Sequence, residues 1–368
     1  MPSAVGHLCE DEPMGASADE ESKASRARPT IRDVAAAAGV SKSLVSLAFK
    51  DPQRVSEKRR ELILRTAQTL GYQPNFLARS LAADGSPFVG ILVVNLHNPI
   101  FAEIADAVRT ELDARGEYGL ITSATMAKGD DPTQPYGRID PRVVAMLQDL
   151  RPKALIVVGT VVEHEGLFTG IPTVYASAEP SPDSGYTSVR MDDTKGAELV
   201  IEHLRGLGHE RIAFTGGLGG TVAKTREIAF RQAMEAQGLD PIVRAAGFVE
   251  RDGYAAAQEL LAMRNPPTAI VSVNDISAFG VLAAADEAGV SVPDDLAVVG
   301  VDNIALSALS RISLTSVDPR NQTIGRLSAR AVFDILADPD QPATQHLITP
   351  RLIVRGSTAG ESATPSHS

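Results

Sequence analysis

Lys42, Ser43, Ser46 and Leu47 occupy positions i, i+1, i+4 and i+5 of the segment KSLVSLAFK, while Val45 and Ala48 fall on its other side. Residues so spaced share one face of a helix. A cation and two hydroxyls on an exposed helical face can hydrogen-bond base edges and phosphate oxygens, and an apolar side chain beside them can meet a thymine methyl. Ser41 precedes the segment as an N-cap, and Gly39 ends the helical run Ile31, Val34, Ala35, Ala38 before it. Helix, glycine turn and second helix make a helix-turn-helix, whose second helix can lie in a DNA major groove. Thr30, Ser41 and Arg54 flank that face as further candidate DNA contacts. Charge agrees locally: residues 28–82 hold ten Lys/Arg against four acids, a net +6, although the whole chain carries −11. Only the local field touches phosphate.

A second chemistry offers itself in TGGLGGT at 215–221, between an apolar run and a helical one. Such a turn can bring a dinucleotide phosphate to a helix N-terminus. The motif stands alone, in mid-chain, and no Tyr-x-x-x-Lys acid/base pair accompanies it, so a nicotinamide-dependent dehydrogenase remains only an alternative. The histidines 97, 164, 203, 209 and 346 lack ligand spacing, and Cys9, the single cysteine, makes neither a thiolate cage nor an internal disulfide. No metal and no cofactor are expected. No apolar run approaches the roughly 20 residues of a membrane helix, and no secretory signal is read, so a cytoplasmic protein is expected.

The elements that must position these residues fall into blocks. Residues 1–27 are acidic and aperiodic, and read as a disordered tail. Residues 28–73 form the helix-turn-helix domain, with a third helix capped by Ser56, apolar inside at Ile63, Ala67 and Leu70, and closed by Gly71. Residues 74–86 hold a two-turn hinge helix, capped by Asn75 and too short to persist unless docked, followed by a linker. From 87 to 356 strands and helices alternate. The apolar runs are FVGILVVNL, YGLITSAT, ALIVVGT, PTVYAS, TSVRMD, RIAFTGG, AAGFV, TAIVSVND, LAVVGVD, LTSVD and HLITPRLIVR. Helical stretches are expected at 99–115, 141–150, 194–207, 224–237, 253–263, 278–288 and 323–336. That alternation predicts a doubly wound α/β core of two lobes, 87–191 plus 314–338 and 192–313 plus 339–356, with a ligand cleft at the carboxyl ends of the strands. Residues 357–368 read as a second disordered tail.

Taken in order, TIRDVAAAAGVS, RVSEKRRELILRTAQTLGYQPNFLARSL, NPIFAEI, MDDTKGA, HLRGLGHERIAFTGG, NDISAFG, VPDDLAVVGVDN and LTSVD resemble the lactose/galactose-repressor (LacI/GalR) family of bacterial transcription regulators, over about 30–356. The resemblance implies an all-α DNA-binding head on a two-lobed core like periplasmic sugar-binding proteins. It implies a homodimer, or a tetramer, on a pseudo-palindromic operator. Lys42, Ser43, Ser46 and Leu47 then become the base-reading set, Asn75, Arg79 and Leu81 belong to the hinge, and Leu81 is the minor-groove wedge. Leu47 stands where many members have an arginine, which implies an altered half-site. Asn98, Phe101, Ser177, Arg226, Asn274, Asp275 and Asp302 fall on effector-contact positions, suited to a neutral, hydroxyl-rich sugar or polyol. Ala176-Ser177 and Val222 depart from the sugar-binding pattern. The expected protein is a repressor, not an enzyme, that loosens or tightens on double-stranded DNA as a small molecule binds.

Overall fold

The computed structural model describes residues 29–73, 86, 88–96, 98–123, 139–160, 166–180 and 184–359. Its contacts divide the chain into Met1–Ala82 and Ala83–Ser368. In the first unit, α1 (Ile31–Ala38), α2 (Lys42–Lys50) and α3 (Glu57–Leu70) enclose a small core of Val34, Ala35, Ala38, Val45, Ala48, Val55, Ile63 and Ala67. Local chemistry explains each boundary. The Asp33 carboxylate accepts from the Thr30 amide at 2.7 Å and its hydroxyl at 2.8 Å, starting α1. Gly39, at φ 64°, ends it in a left-handed conformation that costs glycine nothing. Ser41 Oγ accepts from the Leu44 amide at 3.2 Å to open α2. Two expectations fail here. Ser56 precedes α3, but its side chain makes no capping bond. Leu70 is exposed rather than inside, because Ile63 and Ala67 already fill the stripe facing the core.

The second unit is built on two sheets. Its elements are β1 (Phe88–Val93), α4 (Pro99–Asp113), β2 (Tyr118–Ser123), α5 (Pro141–Leu150), β3 (Leu155–Val158), β4 (Thr173–Ala176), β5 (Thr187–Met191) and α6 (Asp193–Gly206). Then come β6 (Ile212–Gly217), α7 (Thr221–Ala236), β7 (Ile242–Ala246), α8 (Glu250–Leu261), β8 (Ala269–Ser272) and α9 (Asp275–Glu287). The last are β9 (Ala297–Val301), β10 (Thr315–Asp318), α10 (Asn321–Ala337), β11 (Gln345–Ile348) and β12 (Arg351–Ile353). Among the described residues the strands order as β11-β5-β4-β3-β1-β2 and β12-β10-β9-β8-β6-β7. Every pairing is parallel except β10 with β12. All six residues of β1 are buried, as a strand covered on both faces requires.

Three crossings join the lobes: β5 to α6, β10 to α10, and β11 to β12. The expected boundaries are corrected in three places. Ser357 and Thr358, expected in a disordered tail, are buried and hydrogen-bonded to Val298 of β9 and Thr315 of β10. LTSVD is β10 of lobe 2, not part of lobe 1. HLITPRLIVR is not one strand; it breaks at Thr349-Pro350 into β11 in lobe 1 and β12 in lobe 2. Proline has no N–H to give a ladder, so the chain changes sheet there. The expected strand AAGFV is also out of place, because β7 is Ile242–Ala246 and Gly247-Phe248-Val249 leave the sheet. In lobe 1, α10 lies so close on α4 that a Cβ on Gly325 would come within 2.5 Å of the Ile104 carbonyl oxygen. In lobe 2, α8 and α9 touch backbone to backbone, since a Cβ on Gly280 would run into the Glu250 carbonyl and one on Gly253 into that of Ser277. Among the described residues no helix is long and apolar enough to cross a membrane.

Candidate functional site

In the helical head, Lys42, Ser43 and Ser46 lie exposed along α2. Leu47 is half-buried and packs against the head core, so its side chain divides between that core and the outer face. Two candidates have their side chains engaged: the Ser41 hydroxyl caps α2, and Thr30 donates to Asp33. Arg54 is exposed and pairs loosely with Asp51 at 3.5 Å. Lys58 and Arg59 are exposed at the start of α3. Asn75, Arg79 and Leu81, with the tail 1–27, lie outside the described residues.

In the α/β unit a cavity of about 510 Å³, its open mouth included, lies between the lobes. Lobe 1 contributes Val94, Asn95 and Asn98 after β1, Ile100 and Phe101 at the start of α4, Thr160 after β3 and Ser177 after β4. Lobe 2 contributes Gly219, Val222 and Arg226 around the start of α7, Phe248 after β7 and Asp302 after β9. The lining clusters at strand carboxyl ends and the helix starts that follow them, where the parallel arrangement leaves a crevice.

Five of the seven expected contacts meet here: Asn98, Phe101, Ser177, Arg226 and Asp302. Asn274 and Asp275 do not, and local hydrogen bonding is the reason. Asn274 caps α9, accepting from the Ser277 amide at 2.9 Å. The wholly buried Asp275 accepts from Ser316 Oγ at 2.6 Å, Ser307 Oγ at 2.7 Å and the Ile304 amide at 2.9 Å, and so braces the loop after Asp302 from behind. The residues not foreseen, Val94, Asn95, Ile100, Thr160, Gly219 and Phe248, are mostly apolar or small. Their one signal in the sequence is position at or just past the carboxyl end of an apolar run.

Arg226 is the electrostatic centre. Its Nη1 donates to the Val273 carbonyl at 2.6 Å and its Nε to Asp193 Oδ1 at 3.1 Å, while Nη1 stands 3.5 Å from Asp302 Oδ1. Burial opposes its charge, but the two carboxylates outweigh that and hold the guanidinium ionised. Asn98 Nδ2 donates to Asp302 Oδ2 at 3.5 Å across the lobes. Asp302 Oδ1 is buried and accepts no hydrogen bond. Burial pushes the Asp302 carboxyl up to about 6 in spite of Arg226, and pushes Asp275 up to about 7 with the Asp302 charge adding to it. Asp193 is raised as well, again by burial. The backbone beneath these groups is unusual: Ser177, Asp302 and Asn303 have φ of 53°, 113° and 50°. Non-glycine residues hold such angles only where their surroundings enforce them. The glycine turn has its own use. Gly217, Gly219 and Gly220 all take positive φ, so bare backbone reaches the cavity ahead of α7.

Comparison with known proteins gives this arrangement its context. Residues 30–75 match bacterial regulatory proteins of the lacI family, and residues 201–358 match a periplasmic binding protein-like domain. The HTH-type transcriptional repressor PurR of Haemophilus influenzae (strain PittEE) is 30% identical over 340 residues, which cover 89% of this chain and 98% of that one. The chain belongs to the lacI family of bacterial regulatory proteins. It is a DNA-binding transcription regulator of a repressor family, and not an enzyme. Among solved structures, the Lac repressor dimer bound to operator and the anti-inducer ONPF is similar at a TM-score of 0.78 and 25% identity, covering 90% of this chain and 99% of that one. A complex of the transcriptional regulator CelR with cellobiose is similar at a TM-score of 0.64 and 25% identity, covering 90% and 100%. The glycine turn at 215–221 therefore belongs to a lacI-family ligand core and not to a dehydrogenase.

Proposed function

We propose that this lacI-family regulator is a cytoplasmic homodimer whose grip on a pseudo-palindromic operator is set by a small, hydroxyl-rich effector, a sugar or polyol, bound between the lobes. The observation that carries the reading is the meeting of Asn98, Arg226 and Asp302 from two lobes around one cavity. Arg226 is already matched by Asp193 and Asp302, so no positive charge is left over for an anionic ligand. Asp302 Oδ1, buried without a hydrogen bond, is suited to accept from a hydroxyl. The CelR complex with cellobiose is in keeping with such a ligand. Asn98, Phe101, Ser177, Arg226 and Asp302 are then effector contacts, with Asn274 and Asp275 holding the frame behind them.

A second reading has its own support. Val94, Ile100, Phe101, Val222 and Phe248 make much of the wall apolar, which favours a flat heteroaromatic ring with polar edges. Titration calorimetry against sugars, polyols and nucleobases separates the two, because heat from one class alone selects it. On the DNA side, Lys42, Ser43, Ser46 and Leu47 read bases, with Thr30, Ser41 and Arg54 at the phosphates and Asn75, Arg79 and Leu81 in the hinge. Occupancy shifts the population of lobe arrangements and with it the pairing of the hinge segment. Selection from random duplex DNA tests this output. Enrichment of an inverted repeat is expected, and no enrichment over random sequence overturns the reading.

A further inference from the structure

Beside the cavity, two groups that do not line it join the lobes. Glu179 follows β4 in lobe 1 and Thr225 lies near the start of α7 in lobe 2. Thr225 Oγ1 donates to Glu179 Oε2 at 2.6 Å. The other carboxylate oxygen accepts from Arg190 Nη2 at 2.7 Å, and Arg190, on β5, has its side chain only 12% exposed. Arg190 Nη1 reaches Asp193 Oδ2 at 3.2 Å, and Asp193 Oδ1 accepts from Arg226 Nε at 3.1 Å. Arg226 directly follows Thr225 in α7, so the bonds close into a ring: Thr225, Glu179, Arg190, Asp193, Arg226.

The four charged members alternate in sign, with Asp193 and both arginines largely buried and the Thr225–Glu179 pair part-buried, and removing one charged member leaves its neighbours unmatched. The links differ in what they span. Arg190 and Asp193 are three residues apart across the first crossing, where rotation of one lobe on the other displaces them least. The Thr225–Glu179 bond joins segments far apart in the chain, one from each lobe.

We propose that Thr225 and Glu179 form a latch that holds the two lobes closed, with Arg190 fixing the Glu179 carboxylate where it receives the Thr225 hydroxyl. The latch adjoins the cavity on both sides, since Ser177 stands two residues before Glu179 and Arg226 one after Thr225. A molecule touching those two residues therefore bears on the latch. This consequence rests on the effector reading, whereas the latch is tested with no effector present.

The test uses the full chain with Cys9→Ser, spin-labelled at Leu96→Cys in lobe 1 and Leu218→Cys in lobe 2, both exposed, and diluted with unlabelled chain. Pulsed dipolar spectroscopy reads the distance across the cleft. A single short distance is expected for the parent. Thr225→Val, which keeps the shape and loses the hydroxyl, moves at least half of the population to a longer distance, as does Glu179→Ala, while Thr225→Ser keeps the parent distribution. The latch is overturned if Thr225→Val leaves the distances unchanged, even with a lowered unfolding midpoint, or if Thr225→Ser opens the cleft as far as Thr225→Val. Silence of the cavity towards sugars, polyols and nucleobases in calorimetry sinks the effector reading and leaves these distances as they are.

Discussion

Arg226 makes three contacts that each end on a different segment: Asp193 at the start of α6, the Val273 carbonyl after β8, and Asp302 after β9. Truncating it leaves two buried carboxylates facing a void, and breaking a buried pair in this way costs about 3–5 kcal/mol. Arg226→Ala should therefore lose that much in urea unfolding as well as any response to effector. A loss below about 1 kcal/mol would remove the ion-pair account. Asp275 gives a prediction with a sign. Its carboxyl sits at about 7 when folded, above its ordinary 3.8, so the folded state prefers the protonated form. Its contribution is full below pH about 4 and is lost as pH rises through about 7. Unfolding of the parent and of Asp275→Asn across that window should differ by a gap that widens against the parent as pH rises. Parallel curves would show that this carboxyl does not titrate there. Leu47 has two duties, since it packs on the head core and borders the exposed face of α2. Leu47→Ala is expected to lower head stability by about 1–2 kcal/mol through lost burial and to relax preference at one base pair of the half-site. DNA selection with the variant checks the second effect, and an unchanged preference removes Leu47 from the reading set.

Helix boundaries in the head follow single side chains, and for that reason they were readable from residue order. Ser41 must accept the Leu44 amide for α2 to begin where it does, and Ser41→Ala should cost about 1 kcal/mol in thermal unfolding of the head. Ser56 has the same residue type in the same position and makes no such bond. An N-cap residue type marks where a helix begins, but whether its hydroxyl turns inward depends on neighbours the local sequence does not name. The α8–α9 contact is the opposite case. Gly253 and Gly280 look like helix-weakening residues along the chain, yet each gives the other helix room for a carbonyl. Gly280→Ala should force the pair apart and cost at least about 1–3 kcal/mol, despite alanine's better helix propensity. Stabilisation by that substitution would refute the close approach.

The whole chain is acidic while its DNA-binding head is basic, and both follow from composition. If the head neutralises about six phosphates, operator affinity should fall about 10³-fold between about 50 and 200 mM salt. A flat salt profile in filter binding or fluorescence anisotropy would contradict a phosphate-gripping head. The two-lobed architecture was legible because buried parallel strands are continuous apolar runs and helices alternate between them. Assignment of segments to lobes was not. β10 and β11 flank the same helix, α10, and belong to different sheets.

Residue order alone settled the fold class, the helix-turn-helix and the alternation of strands with helices, whereas the expectation that Asn98, Phe101, Ser177, Arg226 and Asp302 share a cleft came from the family resemblance, and all five line the cavity. Fold class, helix-turn-helix and alternation depend on short-range periodicity. Tertiary structure decided which strand joins which sheet, that Asp275 braces a loop instead of facing the cavity, and that Glu179 reaches Thr225 across the lobes. Those outcomes depend on which of several satisfiable partners lies nearest in space. A buried carboxylate must find donors, but its residue type does not say whether they are serines of its own lobe or a threonine of the other.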